Sequence, residues 1–255
     1  MYGLGTVPED GRQVIPDPGI SIHEFTRAMV AGTGLAPASR PKPPCDDPQC
    51  KPGDPVDATT GLFVLNKTDL YIPDGIAPIE FKRTYRPGDT FSRAFGRRAS
   101  HSYDLFLVGD THPSTFIDLI LPDGGRVHYD RISPGTGFAD AVYEHVSTPT
   151  RYYKSKIAWN GTGWSLTLKD GTFLRFDEGA GATRPGQGGV LSIVDRNGNQ
   201  TTIVRDSAGN AMKITSPGGR WIEFTYDASN RITQAKDTIG RVVTYEYDAT
   251  GGSSR

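Results

Sequence analysis

The pattern of hydrophobic and polar positions predicts short β-strands over most of the chain. From residue 57 onward, apolar and polar side chains alternate in short runs, which is typical of strands with one buried face. Pairs such as Asp170-Gly171 and Asn197-Gly198 separate the runs, and they favour tight hairpin turns because their residues tolerate a left-handed backbone. We therefore predict mostly antiparallel strands from residue 57 to 190. The spacing of Ile22, Phe25 and Met29 predicts one short helix nearer the N-terminus.

A repeat of 21 residues begins near Ile193 and continues through the rest of the sequence. Glycine recurs at one position of the unit and aspartate recurs eight residues later. Arginine follows the second and third glycines, and tyrosine precedes the second and third aspartates. The signature residues are Gly198, Asp206, Gly219, Arg220, Tyr226, Asp227, Gly240, Arg241, Tyr247 and Asp248. The other half of the unit keeps the same spacing, at Asp195, Ser216 and Asp237, so the repeat covers the whole unit.

Each repeat unit predicts one β-hairpin. The segment from Trp221 to Tyr226 is β-branched and aromatic, which suits a strand, and the carboxylate of Asp227 can accept backbone N–H groups in the turn that follows. A single hairpin is marginally stable in water, so we expect consecutive hairpins to pair edge to edge and bury one face. The predicted fold class is all-β, with antiparallel hairpin repeats that form a curved or spiralling sheet. Shortened copies of the unit lie at 123–130 and 170–177.

Changes in composition divide the chain into three predicted regions. Residues 1–52 form an N-terminal extension that ends in a proline-rich linker, because closely spaced prolines keep a chain extended. Residues 53–190 form a β-rich module that precedes the repeats. Residues 191–255 form the repeat array, which the sequence leaves incomplete.

Two sets of residues resemble a known family. Tyr226-Asp227 and Tyr247-Asp248, each at the same distance from a Gly-Arg pair, resemble the YD repeats of Rhs proteins. Related arrays occur in bacterial insecticidal toxin complexes and in teneurins. Residues 53–61, followed by 81–85 with the sequence FKRTY, resemble the module that usually precedes those repeats. The resemblance spans roughly residues 53–250.

The resemblance implies a structural protein: a hollow shell that encloses and helps to deliver a C-terminal toxin. The implied partners are the remainder of the shell, the enclosed toxin domain and a secretion-system component. The implied localisation is secreted or cell-surface, after a cytoplasmic stage. Many family members carry a late self-cleavage motif of the type Asp-Pro-x-Gly-Leu, but residues 17–20 lie at the wrong end and differ from it, so cleavage is not carried over. No toxin domain follows the repeats, so we expect this chain to be the beginning of a shell, interrupted within its array.

Charge and hydropathy argue against two kinds of partner, nucleic acid and a membrane that the chain would span. The chain has 28 basic and 29 acidic residues and a net charge of -1, which argues against a nucleic-acid-binding surface. We interpret the cluster of Arg93, Arg97 and Arg98 as part of a solvated loop. No run of 18 apolar residues predicts a membrane span. Residues 1–10 lack the features of a signal peptide, so export would follow another route.

The sequence offers few candidates for catalysis or metal binding. Cys45 and Cys50 could form a local disulfide in an oxidising compartment or remain a pair of loop thiols, and two ligands do not complete a zinc site. The five histidines lack metal-ligand spacing, and His101 and Asp104 should point to opposite faces of a predicted strand. The segment 195–199 lacks essential features of a calcium loop, so we interpret it as a turn. We therefore expect no enzymatic activity, no cofactor and no bound metal.

Three functional hypotheses follow from these observations. The first is the structural shell. The second is a surface module that binds carbohydrate or protein, since Trp159, Trp164 and Trp221 could stack on sugars. The third, a glycosidase on a β-scaffold, ranks lowest because it needs two carboxylates about 5–9.5 Å apart in one cleft. The repeating acids argue against it, because a turn-capping role explains all of them at once.

Overall fold

The computed structural model describes residues 5–6, 15–16, 64–87, 89, 91–110, 113–147 and 149–247. The chain divides into two compact units, Met1–Leu62 and Phe63–Arg255. In the first unit, strand β1 (Gly5–Thr6) pairs with β2 (Ile15–Pro16) in antiparallel orientation. The predicted helix at 22–29, both cysteines and the final aspartate of the repeat signature lie outside the described residues.

The second unit begins with two small antiparallel sheets. Strands β3 (Leu65–Ile72) and β4 (Ile79–Tyr85) form a hairpin with a register shift between Thr68 and Leu70. Strands β5 (Ser92–Arg93) and β6 (Gly96–Arg97) form a separate short hairpin. Strand β7 (Ala99–His101) then returns to pair with β4, which completes a sheet of three strands.

The remaining strands form one antiparallel sheet of 13 strands, whose order in space follows their order in the chain. Hairpin connections of this kind need only short loops, and they confirm the predicted antiparallel all-β fold. The strands are β8 (Phe106–Gly109), β9 (Phe116–Ile120), β10 (Arg126–Arg131), β11 (Val142–Glu144), β12 (Lys156–Trp159), β13 (Gly163–Thr167), β14 (Phe173–Asp177), β15 (Val190–Val194), β16 (Gln200–Arg205), β17 (Ala211–Thr215), β18 (Trp221–Tyr226), β19 (Ile232–Asp237) and β20 (Val242–Thr244).

The large sheet is open, but its beginning curls back onto its middle. Phe106 in β8 forms an antiparallel bridge with Gly189, just before β15. The backbone N–H of Val190 also donates to the carbonyl of Leu105 at 2.9 Å. The first strand of the sheet therefore lies beside the beginning of the eighth, and strands β8 to β15 roll around a shared interior.

The interior side chains of the array recur with the period of the sequence repeat. Ile203, Phe224 and Tyr245 are buried and lie 21 residues apart. Ile214 and Ala235, on the returning strands, are fully buried and share the same spacing. The periodic burial shows that each unit contributes the same apolar face to one continuous core. The predicted division at residues 190/191 falls within β15, so the module and the array share one sheet, and that division remains a prediction from the sequence.

Helical structure is minor in the described part of the chain. A single 3-10 turn, Pro185–Gly188, precedes β15. None of the described segments forms a helix with the length and apolar character that a membrane span needs.

Candidate functional site

Five loops of the array share one five-residue geometry. In each loop the backbone N–H of the first residue donates to the carbonyl of the fifth, and the N–H of the fourth donates to the carbonyl of the first, at 2.8–3.0 Å. The fourth residue has a positive φ in every loop, from 59° at Asn230 to 88° at Gly240. This backbone requirement explains why the repeat keeps glycine there, with asparagine as the one substitute. The loops begin at Asp195, Asp206, Ser216, Asp227 and Asp237.

The side chain of the first residue closes each loop. Asp227 Oδ1 accepts hydrogen bonds from the backbone N–H groups of Ser229 and Arg231. Its Oδ2 accepts a hydrogen bond from Arg231 Nε at 2.8 Å. Asp237 repeats this arrangement in the next loop, one strand later, with a distance of 2.6 Å between its Oδ2 and the Nε of Arg241, the fifth residue of that loop. In the loops at 195–199 and 206–210, the asparagine at the fifth position donates its side-chain amide to the carboxylate in place of arginine. The segment 195–199 is therefore a turn, as the sequence predicts.

Ser216 and Arg220 form the variant of this loop. Ser216 Oγ accepts the backbone N–H of Arg220 at 3.0 Å, so a hydroxyl takes over one bond that a carboxylate makes elsewhere. Gly219 has the positive φ of 84° that this loop needs at its fourth position. The signature residues Gly198, Gly219, Gly240, Arg220 and Arg241 are thus all loop residues, along with Asp206 and Asp227.

Hydrogen bonding lowers the pKa of three loop carboxylates, Asp195, Asp227 and Asp237. The side-chain amide of Asn199 is the main cause of the lowered pKa of Asp195. Burial raises the pKa of Asp227 and of Asp237, but the bonds from Arg231 and Arg241 outweigh it, so both values lie below the ordinary one. A carboxylate that accepts several donors and stays ionised is suited to fixing a turn and unsuited to donating a proton at neutral pH.

The tyrosines of the signature connect neighbouring hairpins. The Tyr226 hydroxyl donates to the carbonyl of Ala211 at 2.7 Å, and the Tyr247 hydroxyl donates to the carbonyl of Ile232 at 2.6 Å. Tyr226 is the last residue of the first strand of its hairpin, and Tyr247 lies three residues after the corresponding strand. Each reaches the second strand of the preceding hairpin. Burial raises the pKa of both hydroxyls, so they remain protonated donors. We refer to these contacts as inter-hairpin bonds.

Arg205 makes the inter-hairpin bond in the first unit. It occupies the position that Tyr226 and Tyr247 occupy in the next two units, and its Nε donates to the carbonyl of Val190 at 3.0 Å. The acceptor lies 15 residues before the donor in all three cases. The sequence alignment of the repeats places Arg205 in this register, so that alignment is the signal that could have revealed its role.

A β-bulge accompanies the first two of these bonds. Thr225 pairs with Gln234, but the next residue, Tyr226, pairs with Ile232, so one residue of β19 is passed over. In the same way Arg205 pairs with Ala211, although the preceding residue pairs with Lys213. The bulge leaves one residue of the second strand without a partner and locally increases the twist of the sheet. This change in direction places the bulged position where its long side chain can cross to the preceding hairpin.

The three-stranded sheet of the module packs against the apolar face of the array. The ring of Phe81 in β4 lies 4.8 Å from that of Phe224 in β18, and the His101 ring stacks on Phe224 at 5.9 Å. Phe95 meets Tyr245 edge-to-face at 4.9 Å, and the Arg83 guanidinium lies over both of these rings. Residues of the module and of the array that are far apart in sequence therefore build one aromatic core.

Polar bonds at the edges fix the position of the module on the array. Asp74, in the loop between β3 and β4, accepts a hydrogen bond from the backbone N–H of Gly218 at 3.0 Å and one from the Ser216 hydroxyl. The Arg241 guanidinium donates to the carbonyl of Tyr71 at 2.8 Å. These contacts use two of the repeat loops, so the loops also serve as docking points.

Arg93 is the centre of a buried ion cluster, which corrects its interpretation as part of a solvated loop. Its guanidinium pairs with Asp104 at 2.9 Å and with Asp89 at 3.2 Å, and it also donates to the carbonyls of Asp104 and Leu121. Arg97 and Arg98 are exposed, as the interpretation requires. The alternation of the sequence could not distinguish the three arginines, because Arg93 is surrounded by partners that come later in the chain, Asp104 and Leu121.

His101 and Asp104 lie on the same side of the module, contrary to the prediction from strand geometry. Strand β7 ends at His101, and a turn closed by the Asp104 N–H and the His101 carbonyl at 2.9 Å brings the two side chains together. The backbone N–H of Tyr103 donates to His101 Nδ1 at 3.2 Å, which assigns the proton of the neutral ring to Nε2. With Arg205 and Tyr226 from the array, they line a space of about 30 Å³, which is too small for a substrate.

The remaining candidates are dispersed. His128 pairs with Asp118 and Asp130 on the exposed face of β10, and His145 Nδ1 donates to the carbonyl of His128. Within the described residues no three His, Cys, Asp or Glu side chains are placed to hold a metal ion. Two histidines, at positions 23 and 112, lie outside those residues.

The three tryptophans lie in two places. Trp159 and Trp164 contact each other at the facing ends of β12 and β13, and they line a cleft in the rolled part of the sheet. Trp221 lies apart from them, in β18, under the Lys213 ammonium at 4.7 Å. The structure therefore brings together two of the three residues considered for sugar stacking.

These features define a class: an array of antiparallel β-hairpin repeats that begins under a packed N-terminal module. Residues 53–129 match a family described as a domain of unknown function, DUF6531, and residues 224–251 match the family described as RHS Repeat. The first domain is found in Rhs-associated proteins. A search of curated proteins gives no match for the chain. These two matches support an Rhs/YD-repeat protein, and the repeat match supports the structural role that such repeats have in general.

Proposed function

We propose that this chain forms a structural part of an Rhs-type shell that encloses and helps to deliver a C-terminal toxin. The observation that carries the proposal is the inter-hairpin bond, which joins each unit to the preceding one with a constant offset of 15 residues. Because each of the three units places a side-chain donor and a backbone carbonyl acceptor at the same two positions, the sheet can be extended by repeating one step. The module covers the apolar face of the first units, which supports a role as the cap of the growing sheet.

The partners of this proposal are the remainder of the shell, an enclosed toxin and a secretion-system component. Rhs proteins are typically extracellular or cell-surface proteins, which agrees with an exported shell. We also propose that the chain carries no catalytic activity of its own and needs no cofactor. The loop carboxylates support this, since the bonds that fix the turns occupy Asp206, Asp227 and Asp237.

Protease protection in the product of the whole gene tests the shell proposal. The region that follows the array should resist a protease that digests the same region when it is expressed alone, and mild denaturation of the array should abolish the protection. Tyr226→Phe and Tyr247→Phe together should lower the denaturant concentration at which protection is lost. Equal digestion of the enclosed and the free region, or a gene product with no region after its array, would refute the proposal.

The second candidate function is a surface module that binds carbohydrate or protein. One observation favours it: Trp159 and Trp164 line an open cleft of about 260 Å³. Aromatic rings beside polar groups in a concave site are typical of ligand-binding sites. The two functions are compatible, because the cleft lies in the module and not at the loops that join the repeats.

A further inference from the structure

The cleft that contains Trp159 lies in the rolled part of the large sheet. Its walls come from the strands β8, β9, β11, β12 and β13 and from the loop that follows β14. The bridge between Phe106 and Gly189 brings the first and last of these elements together. The mouths of rolled and barrel-like sheets are places where proteins bind small molecules. We call this site the aromatic cleft.

Four rings form a connected wall of the aromatic cleft. Phe138 meets Trp159 at 4.9 Å, Trp159 meets Trp164 at 5.3 Å, and Trp164 meets Tyr143 at 5.7 Å, all at steep interplanar angles. Tyr143 and Trp164 are buried and support the wall, whereas Trp159 is half-buried and Phe138 is 47% exposed. The outer two rings therefore offer π surface to a ligand, and the inner two hold them in place.

The polar part of the lining is acidic. Asp110, Asp177 and Glu178 line the cleft, and no lysine, arginine or histidine does. Within the described residues none of these three carboxylates forms an ion pair. Arg131 approaches from behind, where its guanidinium donates to the Ser114 carbonyl and pairs with Asp140.

The three acids differ in the number of hydrogen bonds that their carboxylate oxygens accept. Asp110 accepts the backbone N–H groups of Thr115 and Phe116 and the Thr115 hydroxyl. Burial raises its pKa, but these bonds outweigh burial and leave the pKa below the ordinary value. Asp177 accepts the N–H of Glu178 at 2.8 Å, and the Glu178 side chain is exposed at the rim. Glu178 is the acid best placed to pair with a charged group that enters from solvent.

From these contacts we infer that the aromatic cleft binds a cationic group, an alkylammonium or protonated amine, between the rings of Phe138 and Trp159 and the carboxylate of Glu178. Aromatic faces attract cations through their quadrupole, and carboxylates in a concave site that holds no basic side chain add to that attraction; Arg205, outside the cleft, interacts with Asp177 alone of the three acids. A neutral sugar would gain the stacking but would leave the charge of Glu178, which has no ion-pair partner among the described residues, without a counter-charge. The inference rests on the second candidate function and specifies the ligand class for it.

The test is a titration of the full chain, followed by tryptophan fluorescence. The probes are choline, glucosamine below the pKa of its amine, N-acetylglucosamine, which has the same ring without a charge, and sodium chloride at matched ionic strength. We expect saturable fluorescence changes with choline and glucosamine, and none with N-acetylglucosamine or salt.

Two pairs of variants locate the site. Glu178→Gln and Phe138→Ala should each weaken choline binding about 3- to 30-fold, the range expected for loss of one charge or cation–π contact. Both side chains are exposed, so the fold should be unaffected. The matched controls Glu246→Gln and Tyr71→Ala remove an exposed acid and an exposed ring outside the cleft and should leave binding unchanged.

Each contrary outcome has a distinct meaning. N-acetylglucosamine binding as tightly as glucosamine would overturn the cationic ligand while retaining a binding module for neutral carbohydrate. If no probe binds, the cationic ligand and the binding module at this cleft both fail. Choline binding that is insensitive to Glu178→Gln would place the cation elsewhere on the protein and would also overturn the inference.

Discussion

The hydroxyl of Tyr226 donates a hydrogen bond to the carbonyl of Ala211, 15 residues earlier and in the preceding hairpin. The bond satisfies a backbone carbonyl at a bulge, where the ladder of the sheet is interrupted. It therefore combines two tasks: it compensates for the bulge and it joins one repeat to the next. Tyrosine suits this position because its ring packs on the apolar face while its hydroxyl reaches the backbone.

Removing the Tyr226 hydroxyl should weaken the array. Tyr226→Phe leaves the Ala211 carbonyl without its donor, so we expect a loss of about 1 kcal/mol in the free energy of unfolding, measured in urea. For a protein of this size that corresponds to a fall of about 2–4 °C in the melting temperature. The control is Tyr71→Phe, since Tyr71 is half exposed. Equal losses in the two variants would show that the inter-hairpin bond contributes no stability.

The loop carboxylates should contribute to stability in proportion to the donors that they accept. Asp237 is buried and accepts two backbone N–H groups and Arg241 Nε, whereas Asp170 accepts the N–H of Thr172. We expect Asp237→Ala to cost about 1–3 kcal/mol and Asp170→Ala clearly less, because more donors lose their acceptor in the first variant. Thermal unfolding of the two variants measures the difference. A larger loss for Asp170→Ala would contradict this explanation of the loops.

The repeat made the architecture predictable, because its spacing fixes the loops and its apolar positions fix the buried face. Gly219, Gly240 and Asp227 recur for backbone reasons that act locally, and local requirements are visible in a sequence. Arg205 shows the limit of prediction from the repeat, because an arginine stands where the next units have tyrosine and still makes the inter-hairpin bond. Only its place in the repeat connects it with Tyr226.

Substitution of Arg93 should be far more damaging than substitution of Arg97. Arg93→Met leaves the carboxylates of Asp89 and Asp104 buried without the guanidinium that pairs with both, and breaking a buried ion pair in this way typically costs about 3–5 kcal/mol. Arg97 is close to Arg93 in sequence but is exposed, so Arg97→Met should change the free energy of unfolding by less than about 0.5 kcal/mol. Chemical denaturation of both variants measures this contrast, and similar losses would contradict the central position of Arg93.

The module and the array should be energetically coupled through Phe81 and Phe224. Their rings lie 4.8 Å apart although the residues belong to different sheets. In a double-mutant cycle of Phe81→Leu and Phe224→Leu, we expect a coupling energy of about 0.5–1.5 kcal/mol. Pairing Phe81→Leu with Phe138→Leu, which shares no ring contact with Phe81, should give additive losses. A coupling of zero in the first cycle would mean that the contact between these two rings does not couple the module to the array.

The interface between the module and the array was beyond sequence reasoning for a physical reason. Its contacts join residues more than 100 positions apart, such as Asp74 with Gly218 and Arg241 with Tyr71. No local pattern encodes such contacts. His101 illustrates this, because the turn after β7 and the arrival of Phe224 determine its surroundings, and its neighbours in sequence do not.

The buried His101 should make the protein less stable in mild acid. Burial lowers the pKa of His101 to about 4 from its ordinary value of 6.5; Asp104 opposes this effect, while Arg205 and Arg93 reinforce it. As the pH falls below 6.5, the unfolded chain binds a proton at this histidine and the folded chain does not. Stability that is fully present above pH 6.5 is therefore lost progressively down to about pH 4, by up to about 3 kcal/mol.

Replacing the histidine identifies its contribution to this pH dependence. His101→Asn keeps an acceptor for the Tyr103 N–H but cannot titrate, so its unfolding free energy should change less between pH 6.5 and 4 than that of the wild type. In the control variant His128→Asn, the unfolding free energy should fall more between pH 6.5 and 4 than that of the wild type. Burial lowers the pKa of His128, but Asp118 and Asp130 outweigh it and raise the pKa, so His128 stabilises the fold at low pH and loses that contribution as the pH rises. If His101→Asn retains the full acid sensitivity of the wild type, the destabilisation arises at other groups, and the neutral state of His101 is not required for the module to pack on the array.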